Sequence, residues 1–279
     1  MLLSEKITVI KLLAVDLDGT CLNWSNKILS ETMEALKKAS NSGLEIVFLT
    51  GRSYVSLPHQ LKKESFYKYC IFSNGATIYD RNEEKIIYHT YLSSDIALEV
   101  LQQAKKYKLG LTVHIDNKYV VQDKKILLIG KFLYGKDFKD VIKTKDIINY
   151  VRENGGRVEE LHIFYFKKSN GQKVEKLRKS YTYLYSFKNH FCLEMVAEGT
   201  SKGNALEWLY KKLGYKKEEV ACVGDGENDI SVFEKSGLKF AVRNAIENLK
   251  SLADYVVESN NRNGVAAVVE KILECGKTH

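Results

Sequence analysis

Four short stretches of this 279-residue chain carry side chains that could do chemistry. In the first, Asp16-Leu17-Asp18-Gly19-Thr20, two carboxylates sit two positions apart, directly after a nearly continuous apolar run over residues 9–15. Residues at i and i+2 of an extended segment face the same side, so both carboxylates can project from the end of a strand. Two carboxylates that close repel unless a cation lies between them; the other reading is a polar turn, which Asp and Gly form readily. A calcium-binding EF-hand loop is excluded, because Cys21 and Lys27 stand where its glycine and its last glutamate are required.

The second stretch, Thr50-Gly51-Arg52, follows an apolar run and places a hydroxyl and backbone N–H groups where a phosphate could sit; Thr-Gly is also a common loop sequence. The third is Ser201-Lys202-Gly203, opening a helix whose apolar positions Ala205, Leu209 and Leu213 recur at i, i+4, i+8. Ser201 is an ordinary N-cap, but a lysine in the first turn is unfavourable beside the positive helix end, which makes sense if Lys202 reaches an anion rather than solvent. The fourth, Gly224-Asp225-Gly226-Glu227-Asn228-Asp229, gathers four acidic or amide side chains within five residues. It is either a solvated loop or an oxygen-rich environment suited to Mg²⁺.

These stretches need elements to position them. Strand and helix alternate in the first third: strand 9–15, a helix capped by Ser30 and ending near Gly43, strands 45–49 and 70–72, a polar turn over 80–84, strand 85–91, then a helix capped at Ser93 or Ser94 and stopped by Gly110. The middle third differs, with strands predicted at 111–115, 119–121, 126–132, 161–166 and 191–196 and helices at 144–153 and 170–180. From Ser201 the alternation resumes, with strands at 220–223, 240–242 and 255–257 and a last helix from Gly264. The expected fold class is α/β: a doubly wound parallel sheet formed by residues 1–91 and 197–279, interrupted by an inserted α+β cap over residues 92–196. In such a sheet all four stretches fall at strand tips or helix starts and can converge on one crevice.

Composition narrows the function classes. With 44% hydrophobic and 28% charged residues the chain is that of a globular protein. No apolar run approaches the ~18 residues of a membrane span. Residues 1–6 carry Glu5 and lead into no export signal, and the five scattered cysteines read as reduced packing residues, so a cytoplasmic location is expected. The net charge of +8 lies wholly in the middle third, which holds 20 basic and 12 acidic residues. Most of those lysines belong to solvated helix faces, with a few available to an anion. No aromatic-interleaved basic stripe or helix-turn-helix pattern points to nucleic acid.

Taken together, the Asp16-Leu17-Asp18-Gly19-Thr20, Thr50-Gly51-Arg52, Lys202-Gly203 and Gly224–Asp229 motifs resemble, in order and type, the haloacid dehalogenase (HAD) superfamily of phosphohydrolases, and within it the Cof-type branch. The inserted lid, Ser73-Asn74-Gly75, Asn244-Ala245 and Asn263-Gly264-Val265-Ala266 fit the same branch. The resemblance implies a phosphatase for a small phosphorylated metabolite such as a sugar phosphate. By that analogy Asp16 is the nucleophile, forming an aspartyl-phosphate, and Asp18 is the general acid and base. Mg²⁺ would be held by Asp16, the backbone carbonyl of Asp18 and Asp225, with Asp229 and Asn228 in support. Thr50, Gly51 and Lys202 would bind the transferring oxygens, with Arg52 and Asn74 as further substrate contacts or, equally, loop-ordering residues.

Arg243 departs from the small residue the family pattern leads one to expect there, and is read as a surface arginine or an added anion contact. In the lid, His114, Asp116 and His162 are read as satisfied sheet residues rather than cleft residues. A hexose-phosphate phosphomutase resembling phosphomannomutase, or a catalytically silent phosphometabolite-binding regulator, are the alternatives. On any of these readings the expected partner is a small phosphorylated molecule, with no nucleic acid or membrane, and the oligomeric state, monomer or homodimer, is left open by the sequence.

Overall fold

The computed structural model describes residues 9–138, 140–154, 156–188 and 191–275. The chain starts with β1 (Leu12–Asp16), β2 (Glu45–Leu49), β3 (Tyr69–Phe72), β4 (Thr77–Asp80) and β5 (Lys85–His89). It continues with β6 (Gly110–Ile115), β7 (Lys118–Val121), β8 (Ile142–Lys143), β9 (Val158–Phe164), β10 (Tyr185–Lys188) and β11 (Cys192–Val196), then returns through β12 (Val220–Gly224), β13 (Leu238–Val242) and β14 (Tyr255–Val257). The helices are α1 (Ser30–Asn41), α2 (His59–Lys62), α3 (Ser94–Lys106), α4 (Lys124–Tyr134), α5 (Ile147–Asn154), α6 (Gly171–Ser180), α7 (Lys202–Lys212), α8 (Ile230–Lys235), α9 (Glu247–Leu252) and α10 (Gly264–Cys275).

Two sheets result. The first runs β14-β13-β12-β1-β2-β3-β4-β5, parallel from β14 to β3, with β4 and β5 added antiparallel at one edge. Every residue of β1 and of β12 is buried, as the unbroken apolar runs require of strands covered on both faces. The order reverses at β1: β2 lies on one side and β12 on the other, so the carboxyl ends of these strands border the switch point where open α/β sheets bind ligands. Asp16, Thr50 and Asp225 follow or end those three strands. The second sheet, β10-β11-β9-β6-β7-β8, is antiparallel apart from the β7–β8 pair and packs its own apolar cluster against α3, α5 and α6.

The structure corrects several sequence-based expectations. Residues 126–132, predicted as strand from four consecutive apolar residues, lie in α4. Asp123 accepts hydrogen bonds from the Lys125 and Ile126 backbone N–H groups, and this cap favours helix over strand. Ile126, Gly130 and Tyr134, spaced i, i+4, i+8, then line the cleft, while Leu128 and Phe132 face outward. Ser30 is the first residue of α1 and its side chain caps nothing; extended Leu29 occupies the N-cap. The short strands β4, β8 and β10 were not foreseen, because each is paired to neighbours rather than strongly patterned. The N-terminal segment 1–6 lies outside the described residues. Cys21, Cys70, Cys192 and Cys222 are buried in the interior. Among the described residues no helix is long and apolar enough to cross a membrane.

Gly203 marks the tightest approach beside the crevice. A Cβ there would meet the Ser231 backbone oxygen at 2.0 Å, so α7 packs on α8 backbone to backbone. Replacing glycine by alanine inside a helix ordinarily stabilises by about 0.5–1 kcal/mol. Gly203→Ala should do the reverse and cost about 1–3 kcal/mol through overpacking. Urea unfolding of the two proteins checks the sign, and a more stable variant would refute this close packing.

Candidate active site

Asp16 ends β1 with its carboxylate buried at the base of a cleft of about 270 Å³. Lys202, the misplaced lysine of the α7 first turn, is 1% exposed and reaches an anion as its position suggested, but that anion belongs to the protein itself. Its Nζ donates to Asp16 Oδ1 at 2.6 Å and to Asp229 Oδ1 at 2.8 Å. Ser201 caps the helix by accepting from the Asn204 N–H, as expected. Asp229 uses its other oxygen, Oδ2, to accept from the Asp225 and Gly226 N–H groups, both at 3.0 Å, and so shapes the acidic loop from within. Asp225 in turn accepts from Thr20 at 2.9 Å. Gly19, at φ +83°, is required twice: by its left-handed backbone and because a Cβ would lie 2.3 Å from the Asp225 carboxylate.

Oxygens of Asp16, Asp225 and Asp229 lie within 4.8 Å of one another. Asp16 Oδ2 is buried and has no hydrogen-bond partner. Burial pushes the Asp16 carboxyl well above the usual range, and Asp229 beside it adds to the effect while Lys202 opposes it. Burial, then Asp229, lifts Asp225 to about 7. A hard, all-oxygen cluster with an orphaned buried carboxylate oxygen and more negative charge than one lysine offsets fits a small divalent cation such as Mg²⁺.

Asp18 stands across from this cluster, its side chain 45% exposed to the cleft. Arg52 Nε donates to its Oδ2 at 2.8 Å and Nη2 to its Oδ1 at 2.6 Å, a two-pronged pairing that also engages Asn26 and the Ser56 carbonyl and lays the guanidinium on the Tyr134 ring. Burial works to raise the Asp18 carboxyl, and the Arg52 charge and hydrogen bonds outweigh it, leaving Asp18 below the ordinary carboxylate range. Arg52, expected as a substrate contact, thus acts in this structure as the partner of Asp18. Thr50 accepts from the Arg52 N–H and approaches Asp18 at 3.5 Å. Gly51 and Asn228 line the cleft. Asn228 Nδ2 donates to Asn74 Oδ1 at 2.9 Å.

Asn74 does more than its sequence signal suggested. Held in the left-handed region at φ 52° and fully buried, it donates from Nδ2 to Glu160 at 2.6 Å and to Glu194 at 2.8 Å, both on the inserted sheet. Sequence reasoning missed both glutamates. The available signal was period: Glu160 and His162 share a strand face, and the register sets His114 opposite Glu160 and Glu194 opposite His162. His114 and His162, read as satisfied sheet residues, both line the cleft. Asp116 instead pairs with Arg157 outside it. Arg243 pairs with Glu258 at the surface and touches no site residue. Asn244 anchors the first motif by donating to the Gly19 carbonyl at 2.7 Å. The cleft walls are Tyr119, Tyr134, Phe138, Phe164 and Phe191 rather than lysines; among the described residues, its only Lys and Arg are Lys202 and Arg52. The basic character of the middle third therefore faces solvent, not substrate.

A sequence model of the haloacid dehalogenase-like hydrolases matches residues 13–269. The phosphatase YwpJ of Bacillus subtilis is 28% identical, over 94% of this chain and 100% of its own length. A second B. subtilis relative, YcsE, named as a 5-amino-6-(5-phospho-D-ribitylamino)uracil phosphatase, is 28% identical over 93% of this chain and 94% of its own. The solved structure of a haloacid dehalogenase-like hydrolase from B. subtilis superposes with a TM-score of 0.83 at 26% identity, covering 94% of this chain and 99% of the other.

Lys202→Met leaves two buried carboxylates without their cation, which should cost about 3–5 kcal/mol of stability near neutral pH. Without the lysine the Asp16 carboxyl rises further, so the folded state binds protons that the unfolded state has released. The penalty should then shrink as pH falls and grow as pH rises. Denaturant melts at pH 5 and pH 8 measure the difference; an equal loss at both would show that Lys202 does not compensate charge there.

Proposed function

The chain belongs to the haloacid dehalogenase-like hydrolases, and on that premise we propose that it is a Mg²⁺-dependent phosphatase of a small phosphomonoester, a phosphorylated sugar or polyol, working through an aspartyl-phosphate. The observation that carries this reading is Asp16 at the cleft: one carboxylate oxygen is pinned by Lys202 and the other is buried without a hydrogen-bond partner. The naming of two relatives as phosphatases supports the reaction class, and the ribitylamino substrate in one of those names supports a polyol ester.

In the proposed sequence, the Asp16 carboxylate attacks phosphorus in line while the bond to the ester oxygen breaks. Lys202 holds the nucleophile's orientation and Asp229's loop, and Thr50 and the Gly51 N–H receive the equatorial oxygens. Asp18 delivers a proton to the leaving oxygen, then takes one from the water that attacks the aspartyl-phosphate, releasing phosphate and restoring Asp16. Asp16, the Asp18 backbone carbonyl and Asp225 would hold Mg²⁺, which when bound would supply the positive charge against which two anions can approach. Because Arg52 stabilises the charged form of Asp18, the resting state favours its base role; the approaching phosphate brings negative charge that raises Asp18 toward its acid role. The aromatic walls exclude water from the transfer step, with residues 92–196 acting as the lid. A cytoplasmic location belongs to this reading.

Phosphate release from a panel of sugar, polyol and nucleotide phosphates should require Mg²⁺, stop with EDTA, and be lost in Asp16→Asn while substrate binding persists. An isomeric phosphate ester formed without free phosphate would replace the hydrolase with a mutase.

Arg52→Met removes the charge and hydrogen bonds that outweigh burial, so the Asp18 carboxyl should rise. The limb of the kcat/KM pH profile that reports Asp18 should therefore move to higher pH. A profile that only falls in height would assign Arg52 to substrate binding instead.

A further inference from the structure

The strand register of the inserted sheet brings a second cluster to the roof of the cleft. His114 on β6 lies opposite Glu160 on β9, and His162 follows two residues after Glu160 on the same face. All three are buried: Glu160 completely, His114 and His162 to 2% and 9% exposure. His114 and His162 line the cavity, with Glu160 behind them.

Glu160 Oε2 lies 3.2 Å from His162 Nε2 and 3.3 Å from His114 Nδ1, yet Glu160 Oε2 and His162 Nε2 have no hydrogen-bond partner. The His162 ring nitrogen is close to the oxygen but does not point at it. A shared ion produces that arrangement: with bonds of ~2.0–2.1 Å in a tetrahedral shell, neighbouring ligand atoms sit ~3.3 Å apart and each lone pair aims at the ion, off the line to the next ligand. The carboxylate's other oxygen, Oε1, is fixed by Asn74 at 2.6 Å, the kind of outer contact that orients a metal-bound carboxylate. Ser73 Oγ sits between His114 Nδ1 at 2.9 Å and Glu159 Oε2 at 3.1 Å and can donate to only one of them. With the hydroxyl given to Glu159, His114 Nδ1 either donates to Ser73 Oγ or, in the other tautomer, has its lone pair available to an ion. Two further buried or half-buried carboxyls, Glu159 and Glu194, adjoin the cluster, and no lysine or arginine of the inserted sheet lines the cavity.

We propose that His114 Nδ1, Glu160 Oε2 and His162 Nε2 form a second metal site, for a borderline divalent ion of the Zn²⁺ class, with its remaining position open to the cleft. Imidazole donors select such an ion over Mg²⁺, whereas the Asp16–Asp225 cluster is all oxygen, so the two sites sort metals by donor type. The open position faces the walls that receive the leaving group and would take a hydroxyl or carbonyl oxygen of it. The metal site itself stands independently of the proposed phosphatase reaction.

The test is a Co²⁺ titration of the full chelator-stripped chain in excess Mg²⁺, which keeps the carboxylate cluster saturated. One Co²⁺ per chain should bind with visible d–d absorption and be displaced by one Zn²⁺. His162→Gln and Glu160→Gln should each weaken uptake at least about tenfold, the lower end of the loss seen for a mere outer-sphere contact. Asp225→Asn should leave it unchanged. Pulsed electron paramagnetic resonance of wild type carrying one Cu²⁺ needs no variant and should show two coordinated imidazole nitrogens, which the all-oxygen cluster cannot supply. Absence of a d–d band at one equivalent, equal uptake by wild type and both variants, loss on Asp225→Asn, or a Cu²⁺ spectrum without two imidazoles would each overturn the site.

Discussion

Lys202 is the charge on which the crevice depends. Burying an ammonium is costly unless it is paired, and burying adjacent carboxylates is costly for the same reason. Here each cost is met by the other: one Nζ ties the end of β1 to the acidic loop after β12. Asp229, once fixed, orders that loop through two backbone N–H groups, and Gly19 allows the first loop to close against Asp225. The arrangement gives Lys202 two carboxylate partners but leaves the second Asp16 oxygen buried without one, so the two oxygens of a single carboxylate have different surroundings. A helix that begins with lysine, unfavourable on local electrostatics, is therefore consistent with the fold once tertiary partners are counted.

The parallel core was legible in the sequence because its strands are buried on both faces and announce themselves as unbroken apolar runs; β1 and β12 are the clearest cases. The chemical motifs were legible because they sit where those runs stop. What could not be read was set by long-range pairing. The helix α4 carries an apolar run that suits strand and helix alike, and a single aspartate cap decides between them. Arg52 reads from sequence as a substrate contact or a loop-ordering residue, and its pairing with Asp18 follows only from the fold. Glu160 and Glu194 stand 34 positions apart in strands whose adjacency follows only from register, and each is a charged residue in an apolar strand with no local motif. The excess of lysine in the middle third belongs to the outside of the inserted unit, in line with the reading of most of those lysines as solvated, while the cleft is lined with aromatic rings that net charge does not report.

The two sides of the cleft consequently differ in character. The floor is a dense ionic lattice of short-range contacts, built on the rigid centre of a parallel sheet. The roof is a set of rings, imidazoles and carboxyls hung on an antiparallel sheet with its own apolar cluster. Phosphoryl chemistry requires the first; discrimination among leaving groups requires only that the second present a shaped and sparsely polar wall.

Asn74 spans that seam. Its amide hydrogens serve Glu160 and Glu194 above, and its amide oxygen accepts from Asn228 in the acidic loop below. Separating the two halves breaks these contacts, but it also returns two buried carboxylates to water, and the hydration they regain offsets much of what is lost. The seam therefore behaves as a latch rather than a weld: the closed form has a defined geometry without being deeply stabilised. Because the same amide accepts from Asn228 in the loop that carries Asp225 and Asp229, any separation at this seam would also remove a contact from the acidic floor.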